Sequence, residues 1–298
     1  DNVIVEASSH GLEQGRLSGI NYKTAIFTNF SQDHLDYHKN MKNYLNAKLI
    51  LFSKLLKKKQ NIITDNRIQE FVRLKKISKK NNLKLFTIGR ENSTIQFKST
   101  KPNNNFQDIV FRNNKKNYSV KIPLIGFFQV KNLFMSILAA RLSGLNLKQI
   151  LLAVKNIKEV NGRLELIRTI PNQTKIFIDY AHTPDALGTI LKTLKKHYKI
   201  KPIVVFGCGG ERDKKKRSIM ANICEKNAEK IYITDDNPRN ENPKLIRKMI
   251  LSGFSKKLIV TEISSRAQAI ESAVIESKPN SIILIAGKGH ETTQTYGT

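Results

Sequence analysis

The stretch KIFIDYAHTPDAL, residues 175–187, determines how the second half of the chain folds. Its first residues form a short apolar run, 175–178, which ends in the polar cluster 179–182. A helical pattern follows at 184–197. A short apolar run of this kind is typical of a strand buried on both faces of a parallel sheet. We therefore predict a strand, a polar loop and a helix here.

The same alternation is repeated in the rest of the chain after this stretch. Further apolar runs lie at 203–206, 231–234, 258–260 and 282–286, and further helical patterns lie at 215–229, 243–253 and 265–277. Regular alternation of strand and helix predicts a doubly wound, mainly parallel sheet of the Rossmann-like α/β class. Polar motifs follow the predicted strands at 179–182, 207–210, 235–239 and 287–291. Ligands of such sheets bind beyond the carboxyl ends of the strands, so these motifs are candidate site residues.

The first half of the chain is also predicted to be α/β. Apolar runs at 3–5, 25–27 and 62–63 predict buried parallel strands, and residues 41–52 predict a helix. Short alternating segments with Asn-rich turns predict an antiparallel flap over 85–122. Helices are predicted at 130–142 and 147–157. We predict a domain boundary near residue 160, with domains at 1–160 and 161–298.

The net charge of +28, from 52 Lys and Arg against 24 Asp and Glu, is extreme for 298 residues. Such a charge is found in proteins that bind nucleic acids or membrane surfaces, but it also arises where surface positions are filled with Lys by compositional bias. The basic residues are scattered, without an RNA-binding aromatic signature or zinc-finger spacing. We therefore expect no nucleic-acid partner.

Composition also bears on the cellular location. No apolar run approaches the roughly 18 residues of a membrane-spanning helix, so we expect no membrane insertion. Two cysteines, Cys208 and Cys224, are too few for a disulfide framework and favour a reducing compartment. We expect a cytoplasmic protein, and a monomer.

Three features of the first half are candidates for chemistry. Glu6 follows an apolar run and is either a partner of a helix N-terminus or a metal ligand. Residues 28–38 concentrate two His and two Asp in a spacing that fits no zinc pattern. Lys48 lies on the apolar face of the predicted helix 41–52. It either extends to water or is held inside for chemistry.

The second half offers groups that suit a zwitterionic ligand. The glycine-rich segment 207–210 allows close approach of a ligand to the backbone. Residues 236–239, DNPR, place a carboxylate, an amide and a guanidinium on a turn fixed by Pro238. Arg212 adds a second guanidinium and Glu291 a carboxylate. Two cations with carboxylates complement an amino acid, whereas the alternative is a surface turn with a local ion pair.

Taken together and in this order, these motifs resemble the Mur ligase family of bacterial cell-wall synthesis. The resemblance lies in segments 6–12, 27–38, 162–165, 179–187, 207–217, 236–239 and 286–291. Members join an amino acid to a nucleotide-linked muropeptide, using ATP and Mg²⁺ and forming an acyl-phosphate. The resemblance implies a central ATP-binding α/β domain followed by the Rossmann-like domain.

The resemblance also implies roles for individual residues. Glu6 and His34 match magnesium ligands, and Lys48 matches a catalytic lysine that carbon dioxide carbamylates, so that it too supplies oxygen ligands. Contacts to the UDP-muramoyl dipeptide are implied for Ser8, Gln14 and Arg16. Nucleotide contacts are implied for Asn132, Asp179 and His182.

The pocket for the added amino acid is implied at Arg212, Asp236, Asn237, Pro238, Arg239, Gly287 and Glu291. The sequence DNPR resembles the members that add meso-diaminopimelate, rather than lysine, to UDP-N-acetylmuramoyl-L-alanyl-D-glutamate. Diaminopimelate carries a distal carboxylate that the Arg239 guanidinium could bind, and lysine does not. An unpaired Arg in the pocket would therefore select against lysine.

The sequence departs from the family pattern in three places. It contains no G-x-x-x-x-G-K-[S/T] phosphate loop, Gln129 stands where the family has Asn, and the chain starts at Asp1 and stops at Thr298. We expect a fragment that hydrolyses ATP poorly by itself. The alternatives are a lysine-adding Mur ligase, a folylpolyglutamate synthetase-like ligase, a basic nucleic-acid-binding protein and an inactive remnant.

Overall fold

The computed structural model describes residues 2–103, 106–255 and 259–297. The backbone divides into two units, Asp1–Ile157 and Lys158–Thr298, and each is built from a six-stranded sheet with helices. The predicted α/β fold class is therefore confirmed. Within the described residues, no helix has both the length and the apolar character needed to cross a membrane.

The first unit has a sheet with strands in the order β1-β2-β3-β4-β5-β6. Its elements are α1 (Ser9–Glu13), β1 (Thr24–Phe27), α2 (Leu35–His38), α3 (Met41–Ile50), β2 (Asn61–Asp65), α4 (Phe71–Lys80), β3 (Lys84–Gly89), β4 (Ile95–Asn103), β5 (Phe106–Asn113), β6 (Lys116–Ile122), α5 (Phe127–Leu142) and α6 (Leu147–Val154). A π-helical turn, Leu51–Leu55, continues α3. Strands β1 to β4 pair in parallel, and β4, β5 and β6 pair antiparallel.

The core of the first unit lies on both faces of this sheet. Successive residues of a strand point to opposite faces, and the two β2 residues Ile62 and Ile63 are fully buried in two different hydrophobic clusters. This confirms the prediction of a strand buried on both faces. The helix predicted at 41–52 and the antiparallel flap are also confirmed, except that the first flap strand, β3, pairs in parallel with β2.

The strand predicted at residues 3–5 is wrong for this structure. Residues 2–8 have no assigned secondary structure. Val3 is 87% exposed and Ile4 is 98% exposed. A strand requires a neighbouring strand for its backbone hydrogen bonds, and none of the described residues pairs with this segment. Residues 3–5 therefore have a high β propensity, but no neighbouring strand among the described residues buries them.

The second unit has strands in the order β11-β10-β9-β12-β8-β7. Its elements are β7 (Glu165–Thr169), β8 (Lys175–Asp179), α7 (Pro184–Tyr198), β9 (Ile203–Phe206), α8 (Lys216–Asn227), β10 (Ile231–Ile233), α9 (Pro243–Leu251), β11 (Val260–Glu262), α10 (Arg266–Ile275) and β12 (Ile282–Ala286). Neighbouring strands are parallel except β7, which pairs antiparallel with β8. The doubly wound sheet is confirmed.

Local sequence explains the borders of these elements. Helix α7 begins after Thr183, whose side chain accepts a hydrogen bond from the Ala186 backbone, and Pro184 occupies the first turn. Both features favour a helix N-terminus. The strand predicted at 258–260 is observed at Val260–Glu262, and Leu258 lies outside the described residues. The parallel strands β8, β9, β10 and β12 end at one edge of the sheet, so the loops that follow them are brought together there.

Candidate functional site

The loops after β9, β10 and β12 meet closely at this edge. A Cβ atom on Gly210 would lie 1.9 Å from the Pro238 carbonyl oxygen, so only glycine fits there. Gly287 has a φ of +111°, and a Cβ on it would lie 2.9 Å from Asp236 Oδ2. The sequence thus uses glycine where the loop after β9 meets the DNPR backbone and where the loop after β12 meets the Asp236 carboxylate.

A polar network joins the DNPR loop to the end of the chain. The Asn237 side-chain amide donates to Glu291 Oε2 at 3.0 Å. Its carbonyl oxygen accepts from the Thr295 backbone and from Lys288 Nζ, each at 2.9 Å. Asp236 is buried, and its Oδ1 caps the backbone N–H of Asn237 at 2.7 Å. Residues from two widely separated segments therefore lie in one cluster.

Arg239 belongs to the same group of loops and has an unusual backbone conformation. Its φ is +50°, and an isolated parallel bridge pairs it with Tyr296. The guanidinium Nη1 donates to the Gly210 carbonyl at 2.8 Å. The residue is half-buried, and the same Nη1 also lies 3.4 Å from the Asn237 carbonyl oxygen. A fork with remaining donors can bind a carboxylate with two hydrogen bonds.

Arg212 lies at the rim of this pocket. A Cβ atom on Gly209 would lie 3.1 Å from Arg239 Nη1 and 3.9 Å from Arg212 Cγ, so both arginines border the same glycine. Arg212 is exposed, and its Nη1 donates to the Glu211 carbonyl at 3.1 Å. The structure therefore brings together six of the seven predicted pocket residues, and it places the seventh, Arg212, beside them. The six are Asp236, Asn237, Pro238, Arg239, Gly287 and Glu291.

Sequence reasoning did not assign three basic residues that support this pocket. The Arg217 guanidinium makes two hydrogen bonds to the Glu241 carboxylate, at 2.9 and 3.0 Å. Arg266 donates to the Ala286 carbonyl at 2.8 Å. Burial lowers the pKa of Arg266, although the charges of Asp236 and Glu291 act to raise it. The third is Lys288. Two of the three carried a signal: Arg217 shares a helix face with the buried Met220 and Cys224, and Lys288 lies in the polar motif 287–291.

Asp179, at the carboxyl end of β8, has an unusual protonation behaviour. Its carboxylate is buried and accepts from the backbone N–H of Ala181 at 2.6 Å and of Leu164 at 2.7 Å. Burial raises its pKa to about 6, although these two hydrogen bonds and the charge of Arg163 lower it. A carboxylate that changes charge near neutral pH at a strand end is typical of a functional site.

The loop after β8 is held by aromatic and polar contacts. His182 Nδ1 lies 2.9 Å from the Tyr180 carbonyl, and Lys216 donates to the His182 carbonyl at 2.9 Å. The Tyr180 ring stacks with His290 at 5.6 Å and carries the Arg163 guanidinium at 4.6 Å on its face. Asp179 at the end of β8 and His182 in the loop that follows it therefore lie beside the loop that carries His290.

In the first unit, charge interactions link Lys48 to Glu6 and to His34. The Lys48 ammonium is within electrostatic range of Asp33 and Glu6, and His34 is within range of Lys48. Burial lowers the pKa of Lys48, and the two carboxylates oppose that shift. Lys48 Nζ lies 5.1 Å from the centre of the Tyr44 ring. His34 itself has a φ of +54°, and its backbone N–H donates to Asp33 Oδ1 at 2.8 Å.

The side chains of this cluster decide whether it can bind the expected magnesium ion. Among the described residues, no group of three or more His, Cys, Asp and Glu side chains is arranged to hold a metal. Glu6 and His34 supply two ligands, and the Lys48 ammonium supplies none because it has no free electron pair when charged. A carbamylated Lys48 would add carboxylate oxygens. The cluster thus fits a hard cation only in the carbamylated form.

A cluster of three histidines lies beside these residues: His34 and His38 come from the segment 28–38 singled out in the sequence, His10 comes from α1, and only His38 is buried. His38 Nε2 is 2.9 Å from Ser9 Oγ, and its ring stacks on Tyr44 at 5.2 Å. His38 Nδ1 is 3.2 Å from Glu13 Oε2, but no well-aligned hydrogen bond satisfies it in the described structure. His10 lies 5.0 Å from His34 and 5.2 Å from His38, ring centre to ring centre. His38 therefore joins α1 to α2 and α3.

The remaining predicted residues of the first unit are exposed. Ser8 caps α1, with its Oγ accepting from the Gly11 backbone at 3.1 Å. The Gln14 amide lies 3.4 Å from the Tyr37 hydroxyl, and Arg16 follows on the exposed turn after α1. Asn132 is exposed on α5. The structure reports where these side chains lie, and their roles stay predictions.

Comparison with known proteins gives a family for this arrangement. Residues 1–140 match the model of the Mur ligase middle domain, and residues 162–289 match that of the Mur ligase glutamate ligase domain. The chain is 43% identical over 297 residues to the UDP-N-acetylmuramoyl-L-alanyl-D-glutamate–2,6-diaminopimelate ligase of Rickettsia montanensis. That match covers 99% of this chain and 61% of the relative.

Solved structures agree with this assignment. A structure of a UDP-N-acetylmuramoyl-L-alanyl-D-glutamate–2,6-diaminopimelate ligase superposes with a TM-score of 0.64 at 33% identity, covering 97% of this chain and 59% of that one. The folylpolyglutamate synthase of Mycobacterium tuberculosis, solved with ADP and AMPPCP, has a TM-score of 0.74 at 19% identity, covering 90% and 62%. At that identity the likeness shows the fold alone.

The chain spans about three fifths of the length of the curated relatives that it matches. The two family models together span most of the chain, and the strand-end motifs of the second unit converge in one pocket. The chain belongs to the Mur ligase family.

Proposed function

We propose that this chain carries the central and amino-acid-binding parts of an ATP-dependent ligase that adds meso-diaminopimelate to UDP-N-acetylmuramoyl-L-alanyl-D-glutamate. The observation that carries the proposal is the meeting of the loops after β9, β10 and β12, where the Asn237 amide binds the Glu291 carboxylate and Arg239 Nη1 binds the Gly210 carbonyl. The identity of 39 to 44% with curated diaminopimelate-adding relatives over nearly the whole chain supports it.

The pocket chemistry favours diaminopimelate over lysine. Diaminopimelate has two ammonium and two carboxylate groups, whereas lysine lacks the distal carboxylate. The Arg239 fork and the rim residue Arg212 complement a carboxylate, and Asp236 and Glu291 complement an ammonium group. Binding lysine would leave the pocket guanidinium without its anion, which costs about 1–3 kcal/mol or more for a charged group.

The reaction follows from the family to which the chain belongs. The substrate carboxylate would attack the γ-phosphorus of ATP and release ADP, and the amine of diaminopimelate would then attack the acyl-phosphate carbon and release phosphate. Nucleotide contacts are proposed for Asn132, Asp179 and His182. Ser8, Gln14 and Arg16 are proposed to bind the UDP-muramoyl dipeptide.

Magnesium is proposed to be held by Glu6, His34 and carbamylated Lys48. Bound there, Mg²⁺ would screen the repulsion between the phosphates and the substrate carboxylate. The contribution of the chain is to hold these three side chains together. The positively charged Lys48 has two carboxylate neighbours, Glu6 and Asp33. Carbamylation would turn Lys48 into a third anionic group beside them, and a divalent cation would neutralise the three negative charges.

Amino-acid binding tests the specificity. We expect the chain to bind meso-diaminopimelate more tightly than L-lysine in isothermal titration calorimetry. Arg239→Ala should weaken diaminopimelate binding by at least about ten-fold, because it removes a charged hydrogen-bond donor. Arg168→Ala, which changes an exposed arginine of the edge strand β7, is the matched control and should leave binding unchanged. Equal affinities for both amino acids would remove the diaminopimelate proposal in favour of a lysine-adding ligase.

The same preparation tests the other classes of function. The net charge of +28 is the only feature that favours a nucleic-acid-binding protein. Tight, salt-sensitive binding of DNA or RNA at physiological ionic strength, without binding of diaminopimelate, would replace the present proposal. A monomeric state and a cytoplasmic location stay predictions.

A further inference from the structure

Lys288 lies in the polar cluster that contains Asn237 and Glu291, and the proposed function gives it no role. It lies in the loop after β12, between Gly287 and Gly289, and only 9% of the residue is exposed. Its ammonium donates to Asn237 Oδ1 at 2.9 Å and to Glu291 Oε2 at 3.1 Å. Lysine is rarely buried unless it is paired, so this position has a specific cause.

The contacts of Lys288 determine which way the Asn237 amide faces. An ammonium group has three donors and no acceptor, so it can bind only the carbonyl end of an amide. The Thr295 backbone N–H binds the same oxygen at 2.9 Å. With its oxygen held by two donors, the amide must present its NH₂ group to Glu291, and it does so at 3.0 Å.

Lys288 also acts on the charge and the position of Glu291. Burial raises the pKa of Glu291, but hydrogen bonds from Lys288 and Asn237 and the charge of Lys288 outweigh that effect, and the pKa is lowered. Glu291 Oε2 is held by two donors at once. The carboxylate is therefore kept ionised and in a single orientation within the pocket.

We infer that Lys288 is a positioning residue of the amino-acid pocket, which binds Asn237 and Glu291 and holds both in the orientation that receives the ammonium end of the added diamino acid. The inference rests on the proposed function for the identity of the ligand. Lys288 acts through Asn237 and Glu291, and hydrogen bonds join the three side chains in a triangle. The pocket is thus preorganised for a cationic group.

Two measurements on the whole chain test this. The affinity for meso-diaminopimelate is measured by calorimetry for the wild type, Lys288→Met and Lys288→Arg. The side-chain NH₂ resonances of Asn237 are followed by NMR in the same proteins without ligand. Lys278→Met, which changes a lysine whose side chain is 83% exposed, is the matched control.

We expect Lys288→Met to weaken binding by about ten-fold or more, as for the loss of a charged hydrogen bond. The Asn237 resonances should move towards the position of a solvent-exposed amide and exchange faster. Lys288→Arg should recover part of both effects because it restores a cationic donor, and Lys278→Met should resemble the wild type.

Two results would overturn the inference. One is a Lys288→Met protein with wild-type affinity and unchanged Asn237 resonances. The other is a loss of affinity that leaves these resonances unchanged and that Lys288→Arg does not recover. Failure of the wild-type chain to bind diaminopimelate would reject the proposed ligand instead, and the Asn237 resonances would still decide whether Lys288 positions the amide.

Discussion

The Arg217 guanidinium and the Glu241 carboxylate form a two-pronged ion pair between α8 and the loop that precedes α9, with Nη1–Oε2 and Nη2–Oε1 distances of 2.9 and 3.0 Å. Arg217 is only 1% exposed, and its Nη2 also donates to the Gly209 carbonyl at 3.3 Å. The pair therefore ties the glycine loop after β9 to the loop that carries DNPR. Glu241 in turn accepts from the Glu211 backbone N–H.

Removing Arg217 should strongly destabilise the second unit. Arg217→Ala removes a fully buried guanidinium and opens a cavity, whereas Glu241 is 20% exposed and keeps the Glu211 backbone N–H. We expect a loss of about 2–3 kcal/mol, below the cost of breaking a pair that is buried on both sides. Urea denaturation measures the change, and hydrogen exchange at the buried Tyr232 assigns it to this unit. The control is Lys278→Ala, which breaks the exposed pair with Glu229 and should change stability by less than about 1 kcal/mol. Similar losses for both variants would refute the structural role of the pair.

Asp179 should make stability depend on pH between about pH 4 and pH 6. Burial raises its pKa in the folded chain to about 6 from the ordinary value of 3.8, so the folded state binds the proton more tightly than the unfolded state does. The contribution is fully present below pH 3.8, falls as the pH rises through 6, and amounts to about 3 kcal/mol in order of magnitude. Asp179→Asn should remove this pH-dependent part of the free energy of unfolding. A change in stability that is the same at every pH does not affect the comparison of the pH profiles.

Chemical denaturation of both proteins at a series of pH values measures the difference. Titration of the Asp179 carboxyl ¹³C resonance gives the pKa directly. A midpoint near 4, or identical pH profiles for the wild type and Asp179→Asn, would contradict the role assigned to burial.

Lys48 should be the site of a carbamate. Reaction of the neutral amine with carbon dioxide forms an N–C bond and releases a proton, and the new carboxylate joins Glu6 and Asp33. Repulsion among these anions makes the carbamate dependent on a divalent cation. With ¹³C-bicarbonate, we expect one protein carbamate resonance that Mg²⁺ strengthens. Lys48→Ala should abolish it, and Lys54→Ala, a lysine of the next helical turn, should not. Retention of the signal in Lys48→Ala would refute the assignment.

The contact between Ser9 and His38 should contribute to the stability of the first unit. Ser9→Ala leaves the buried His38 Nε2 without its partner at 2.9 Å, and an unsatisfied buried polar group costs about 1–3 kcal/mol. Thermal unfolding and hydrogen exchange in α1 measure the effect. Ser136→Ala removes an exposed hydroxyl that bonds only its own helix at Asn132, and it should cost less than about 0.5 kcal/mol. Equal effects of the two serine variants would contradict this prediction.

Several elements could be predicted because their signals are local. The apolar run 203–206 is observed as β9, and the pattern at 184–197 is observed as α7 within one residue. Strand β7 was missed because ELIRT is a mostly exposed edge strand without an apolar run. Residues 3–5 show the opposite error: a strand is predicted there, but the segment has no neighbouring strand in the described part of the chain and its side chains are exposed.

The sequence by itself determined the strand–helix alternation and the position of polar motifs after the strands. Both follow from short-range periodicity, and parallel strands place their carboxyl ends at one edge. Only the tertiary structure decided which charges pair. Lys288 meets Asn237 across 51 positions of the chain, and Arg217 meets Glu241 across 24. Such pairs depend on how loops pack against each other, and burial then selects the partner because an unpaired charge in the interior is too costly.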